Sequence, residues 1–205
     1  MISNTSRTAV LLLMLLSQAI LIEAQDTSDL RSASLRDREN KPAHLSLPDK
    51  IPAAILILGT DCPITQKYIP TLETLYRSFN RRVAFIGVFP NQYTAADVAA
   101  FVDEYRISFP CYVDHKMEVV GILDAAVTPE AFLINPEWDV VYAGAIDNWF
   151  YKLGSYRAKV TKHYLNDAIN SLLAGDRIVL RRTDAIGCPV PQSDHDTKAP
   201  SHSHH

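Results

Sequence analysis

The chain has 205 residues, 47% of them hydrophobic, with 23 acidic against 20 basic side chains and a formal net charge of −3. That length and composition suit one globular domain with terminal extensions. The near-neutral balance offers no basic face of the kind nucleic acids select, so DNA and RNA are excluded as expected partners.

Residues 1–24 read as a secretory signal peptide: Arg7 precedes an apolar run over 9–22, Glu23, Gln25 and Asp26 end it sharply, and Ala24 offers a small residue for cleavage. The run is short for a membrane span and no other stretch is long and apolar enough. The protein is therefore expected to be periplasmic or secreted, with no stable membrane insertion; an uncleaved anchor is the alternative. Residues 25–50 are polar, charged and broken by Pro42 and Pro48, which reads as a solvated N-terminal extension.

The chain is organised around residues 53–79. Residues 53–58 form an apolar run that reads as a buried strand, Gly59 and Thr60 break it, and Cys62 stands where a helix begins. Pro63 takes the first helical position, where a missing N–H costs nothing. Tyr68, Ile69, Leu72, Leu75, Tyr76 and Phe79 recur at helical spacing and give that helix its buried face. The pattern predicts a thiol at a helix N-terminus, where unpaired backbone amides stabilise a thiolate and lower its pKa, with the Asp61 carboxylate opposing part of the effect. Such a sulfur must be exposed to do redox work.

A second buried strand follows over 83–89. Thr94 and Asp97 are spaced as a capping box opening a helix whose buried face is Val98, Phe101, Val102 and Tyr105. Strand, helix, strand in this order predicts a right-handed crossover and parallel pairing. Cys111 lies in a short strand over 109–113, and a short helix spans 117–123. A third core strand over 127–134 is opened by Pro129, and 140–143 reads as its antiparallel hairpin partner. Residues 145–159 are rich in aromatic side chains and match no element pattern. Tyr164, Leu165, Ala168, Ile169, Leu172 and Leu173 form a last amphipathic helix, which Gly175 ends. The fold class is α/β, a central mixed sheet flanked by helices, over a domain at 51–175. Residues 176–205 form a C-terminal extension holding a Gly187-Cys188-Pro189 loop, and its tail from Gln192 is disordered by composition.

Thr60-Asp61-Cys62-Pro63-Ile64-Thr65, Pro70 eight residues after Cys62, and Thr128-Pro129 together resemble the thioredoxin superfamily, and within it the redoxin group of peroxiredoxin-like proteins. The resemblance covers about residues 45–175, with Gly187-Cys188 as an outlying match. It implies a thioredoxin-like fold, with the 60–65 loop where the family has Cys-x-x-Cys, Pro70 as a helix-kinking proline, and Thr128-Pro129 as the cis-proline turn that lies against the active thiol and receives substrate chains. The chain departs from the family in three ways. Thr65 replaces the second cysteine, so no disulfide forms within the loop. The threonine and proline that activate a peroxidatic cysteine are missing, since their positions hold Cys62 and Leu58, or Gly59 and Ile55 if Cys62 is the reference. The strand over 53–58 supplies no buried acid.

The resemblance implies a thiol–disulfide oxidoreductase acting through Cys62, with Thr65 hydrogen-bonding the thiolate, Thr128 and Pro129 positioning a partner's backbone, and Cys188 as resolving thiol. Its partners would be protein thiols or disulfides and an external thiol reductant, with no cofactor. Each candidate has a plainer reading: Cys62 as a small core residue, Cys188 as a loop cysteine packed on the domain, Cys111 as core or as the other partner of Cys62. The three cysteines leave at least one unpaired within the chain. Asp124, Glu130 and Asp147 read as surface acids. His44, His115 and His163, with His195, His202, His204 and His205 in the tail, read as a weak metal-binding set at most, and Gln66 stands where copper-delivery relatives carry a second cysteine; no metal site is expected. An atypical peroxidase, or a non-enzymatic binding module or metal carrier, is the alternative function.

Overall fold

A computed structural model describes residues 28–47 and 50–191, so the expected signal peptide and the histidine tail lie outside the described residues. In chain order the strands are β1 (Ser34–Arg36), β2 (Pro42–His44), β3 (Ala53–Ile57), β4 (Ala84–Pro90), β5 (Cys111–Asp114), β6 (Val127–Thr128), β7 (Glu130–Ile134), β8 (Val140–Gly144), β9 (Phe150–Lys152), β10 (Ser155–Tyr156) and β11 (Cys188–Pro189). The helices are α1 (Pro63–Phe79), α2 (Ala95–Tyr105), α3 (Glu118–Leu123) and α4 (Tyr164–Ala174). Seven strands form one mixed sheet in the order β2-β1-β5-β4-β3-β7-β8. The crossovers β3-α1-β4 and β4-α2-β5 give parallel pairs, and β7 returns antiparallel to β3 with Ile57 opposite Glu130.

Because side chains alternate along a strand, β3 feeds two cores. Ala54, Leu56 and Leu58 join the cluster beneath α1, α2 and α4, while Ala53, Ile55 and Ile57 join the opposite cluster with Val119, Val120 and Leu123 of α3. A strand buried on both faces reads as a continuous apolar run, which is what residues 53–58 show.

Two expectations are corrected. Residues 28–47 are not a solvated lead-in: Leu30, Ala33, Leu35 and Leu45 are buried, β1 pairs β5 with Arg36 opposite Val113, and the Ser34 N–H donates to Glu118 Oε2 at 2.6 Å. Their strands are only three residues long, so a few apolar side chains among many polar ones carry the packing. The Gly187-Cys188-Pro189 segment is likewise not a loop: Cys188–Pro189 is strand β11, and the run leading to it lies along the sheet. The Ala143 N–H donates to the Arg181 carbonyl at 2.9 Å and the Thr183 N–H to the Ala143 carbonyl at 3.0 Å, along the outer edge of β8. Gly144, at φ 131°, allows this approach, since a Cβ there would run into the Thr183 backbone. Backbone hydrogen bonds, which composition does not reveal, hold this run in place. The aromatic stretch after β8 holds a small hairpin, β9–β10, with Trp149 and Phe150 packed on Tyr68 at ring separations of 5.5 and 5.6 Å.

Candidate active site

At the carboxyl end of β3 the Leu58 N–H donates to the Val88 carbonyl at 2.9 Å, and the chain then turns into α1. A Cβ on Gly59 would lie 2.8 Å from both Thr128 Oγ1 and Tyr93 Oη, so glycine lets three segments converge here. The Gln66 amide donates to the Thr60 carbonyl at 2.9 Å and holds the turn shut. Cys62 is the N-cap of α1, extended at φ −80° and ψ 112°, with Pro63 beginning the helix as expected. The sulfur is not open to solvent, however: Cys62 is 1% exposed. The cover is β11, which pairs antiparallel with β6, Cys188 opposite Thr128 and Pro189 opposite Val127. Predicting an exposed thiol from a helix N-terminus fails because a later segment lies across it.

The neutral Cys62 thiol donates to the Thr128 carbonyl at 3.0 Å and makes no N-cap hydrogen bond. That carbonyl favours the protonated form, and burial also pushes the pKa up. Against burial stand hydrogen bonds to the thiolate from the Cys188 side chain, the Thr65 backbone N–H, the Thr128 side chain and the Cys188 backbone; together they outweigh it and hold the thiol below the ordinary cysteine value. Cys188 moves the other way. Burial, the hydrogen bond to Cys62, the Cys62 charge and Asp61 push its pKa up to about 12. Of the two, Cys62 is the readier anion and Cys188 holds the proton. All three cysteines are free thiols, and Cys111 is buried in β5 with its pKa raised to about 12, chiefly by burial.

Thr128-Pro129 is a cis peptide, as the resemblance implies, between β6 and β7. The Thr65 hydroxyl accepts from the Gly59 N–H at 3.3 Å, while its backbone N–H favours the Cys62 thiolate. Glu130 and Asp147 are not surface acids, being 6% and 4% exposed, while Asp124 is exposed. Glu130 Oε2 accepts from the Ala126 and Val127 N–H groups at 2.9 and 3.4 Å, fastening β6 to the start of β7 across the cis bond. Its pKa is raised by burial, with those two donors opposing. Asp147 accepts from the Tyr68 hydroxyl at 2.7 Å and the Trp149 N–H at 2.8 Å. Buried acids are thus present, Glu130 at the start of β7 beside the cis turn and Asp147 in the loop between β8 and β9.

Tyr93 escapes a reading from sequence. Its hydroxyl donates to the Asp61 carboxylate and accepts from the Gln92 amide at 2.7 Å; burial and the bond to Asp61 push its pKa up, so it remains a donor. The available signal is topological: parallel strands β3 and β4 end on the same side, so an aromatic hydroxyl just past β4 faces the loop just past β3. Among the described residues no group of three His, Cys, Asp or Glu is arranged to hold a metal ion, and no helix is long and apolar enough to cross a membrane.

A family model described as the AhpC/TSA family matches residues 23–143. The thiol-disulfide oxidoreductase ResA of Halalkalibacterium halodurans is 30% identical over 111 residues, covering 54% of this chain and 57% of the relative. The chain thus spans little more than half the length of the curated relatives it matches. A hypothetical protein of Sinorhizobium meliloti 1021 superposes with a TM-score of 0.69 at 23% identity, covering 78% of this chain and 91% of that one. A secreted Mycobacterium tuberculosis disulfide oxidoreductase homologous to E. coli DsbE gives 0.51 at 14% identity, covering 72% and 98%. Likeness at these identities shows the fold, which is thioredoxin-like.

Proposed function

The chain belongs to the AhpC/TSA family, and from that premise we propose that it is a thiol–disulfide oxidoreductase working outside the cytoplasm, with Cys62 as nucleophile and Cys188 as resolving thiol. One observation carries the reading: β11 pairs with β6 so that Cys188 stands opposite Thr128, whose carbonyl accepts from the Cys62 thiol at 3.0 Å, next to the cis Thr128-Pro129 turn. The relatives named thiol-disulfide oxidoreductases support the reaction class, and the signal-like residues 1–24 support the location.

Because Cys62 is 1% exposed beneath β11, that strand must first lift from β6 to admit the partner; the Cys62 thiolate then attacks one sulfur of the partner disulfide, that S–S bond breaks, and the partner's other sulfur leaves as a thiolate and takes a proton. Cys62, now in a mixed disulfide, has lost its charge. Two of the influences that raise the Cys188 pKa, the hydrogen bond to the Cys62 anion and its charge, vanish with it. Cys188 then loses its proton more readily, attacks the Cys62 sulfur and releases the partner's first sulfur as a thiol. The partner disulfide has gained two electrons and two protons, and the protein has become the Cys62–Cys188 disulfide, which an external thiol reductant returns to the dithiol. Thr128 and Pro129 position the partner's backbone, and Thr65 contributes its N–H.

Insulin reduction with dithiothreitol as reductant tests this. Cys62→Ser is expected to lower the rate to the dithiothreitol background; a variant as fast as wild type sinks the reading. N-terminal sequencing of the exported protein, with a start close to Gln25 expected, checks the location.

A further inference from the structure

The segment that covers Cys62 does so as a strand. Beside the backbone pairing of β11 with β6, the Val190 N–H donates to the Ala126 carbonyl at 2.9 Å and the Thr128 hydroxyl donates to the Cys188 carbonyl at 3.5 Å. The flanking side chains divide: Ile186 packs on the core cluster that contains Cys62, and Val190 is buried in the cluster on the other face of the sheet. An extended chain threaded in this way brings one cysteine sulfur to Cys62. The residue before that cysteine has no choice of side chain. At Gly187 a Cβ would run into the Thr128 carbonyl and lie 3.1 Å from the Val127 Cβ, and a backbone carbonyl in a paired strand does not yield as a side chain does.

We infer that the Val127–Thr128 edge is a binding site for an extended peptide whose reacting cysteine is directly preceded by glycine, and that residues 186–190 fill it as the chain's internal copy of that substrate. The inference rests on the oxidoreductase reading and gives it a substrate class: proteins whose disulfide includes a Gly-Cys pair in an accessible extended segment. Any outside chain that delivers a cysteine to Cys62 along this edge follows the same backbone path, so it meets the Thr128 carbonyl at the same place. Main-chain pairing supplies the binding and the crowded position supplies the choice, as in other strand-addition sites. The reaction is the same thiol–disulfide exchange, with the peptide disulfide reduced and the two protein thiols oxidised.

The test uses the full chain, reduced beforehand, and two peptides, Ile-Gly-Cys-Pro-Val and Ile-Val-Cys-Pro-Val, each acetylated, amidated and presented as its symmetrical disulfide. The glycine peptide is expected to be reduced at least about tenfold faster, the scale on which one misfit carbon group is discriminated in a shaped site. The small disulfide 5,5′-dithiobis(2-nitrobenzoate), which has no residue at the crowded position, reports the oxidoreductase reading alone: equal peptide rates, or neither peptide reduced while the small disulfide is, overturn the inference and leave that reading standing, and neither peptide nor the small disulfide reduced takes both down. A second measurement addresses the internal copy. Gly187→Val should expel β11, so that iodoacetamide modifies Cys62 in the native protein at least about tenfold faster, with Cys111 still unmodified as proof of an intact core. Unchanged Cys62 protection in that folded variant overturns the claim. If Cys111 becomes reactive as well, the peptide pair decides.

Discussion

Cys62 and Cys111 are both almost wholly enclosed, at 1% and 5% exposure, and both belong to the same apolar cluster, yet their thiols are displaced in opposite directions. Cys111 sits in β5, paired with β4, where burial outweighs the Arg38 charge and the single Gly87 N–H that oppose it. Cys62 sits where a helix starts, and the N–H groups of a first turn have no partner within the helix. The Cys188 side chain and the Thr128 hydroxyl add further donors. Enclosure sets the size of the penalty on a buried anion, and the local supply of unspent donors decides whether the anion forms.

Cys188→Ala breaks the comparison most severely, because it removes the foremost influence that lowers the Cys62 pKa and, on the proposed mechanism, the resolving sulfur as well. Multiple-turnover insulin reduction should fall at least about tenfold. Mixed disulfides between Cys62 and the partner should accumulate on non-reducing gels, and the Cys62 pKa should rise toward that of an ordinary thiol. A variant that turns over normally, with no trapped adduct, excludes Cys188 as resolver.

The pH dependence of stability sharpens the contrast. For Cys62 the folded-state pKa lies below that of the unfolded chain, so the native anion contributes stability that is fully present above the unfolded value, near 8.5, and is lost as pH falls through the lowered folded value. Urea melts of reduced wild type and Cys62→Ala should therefore diverge as pH rises from neutral toward that value and run parallel above it. Cys111, raised by burial, offers no such gain, and Cys111→Ala should show the opposite trend or none over the same range. The smallest effect belongs to Cys111→Ala at neutral pH. It removes one buried sulfur, costs ~1 kcal/mol of unfolding free energy read from urea melts, and should leave insulin reduction at the wild-type rate.

The parts of this site that announce themselves in the sequence are those fixed by local spacing. The run over 53–58, Pro63 after Cys62, and the Thr94–Asp97 pair, whose reciprocal bonds measure 2.8 and 3.2 Å, each depend on neighbours a few residues away. The cover over Cys62 depends on pairing across 60 residues, between Thr128 and Cys188, and no periodicity marks it. Glu130 and Asp147 hide for another reason. Their burial is made affordable by N–H groups of Ala126, Val127 and Trp149, and a sequence does not mark which amides are free. Tyr68 illustrates the same limit: its place on the apolar face of α1 is visible, but its hydroxyl's bond to Asp147 is not.

The strand over Cys62 is tethered to the domain by the chain itself, through Thr183 on β8 and on to Val190 at the sheet. A tethered competitor behaves as though dissolved at a fixed, high concentration, on the order of millimolar for a short flexible link. Substrate segments that pair with β6 weakly will look inert at micromolar levels, because they lose to a rival that never diffuses away. Saturation curves for this protein should therefore report the contest between visitor and resident, with an apparent half-saturation set by the tether as much as by the visitor's own fit.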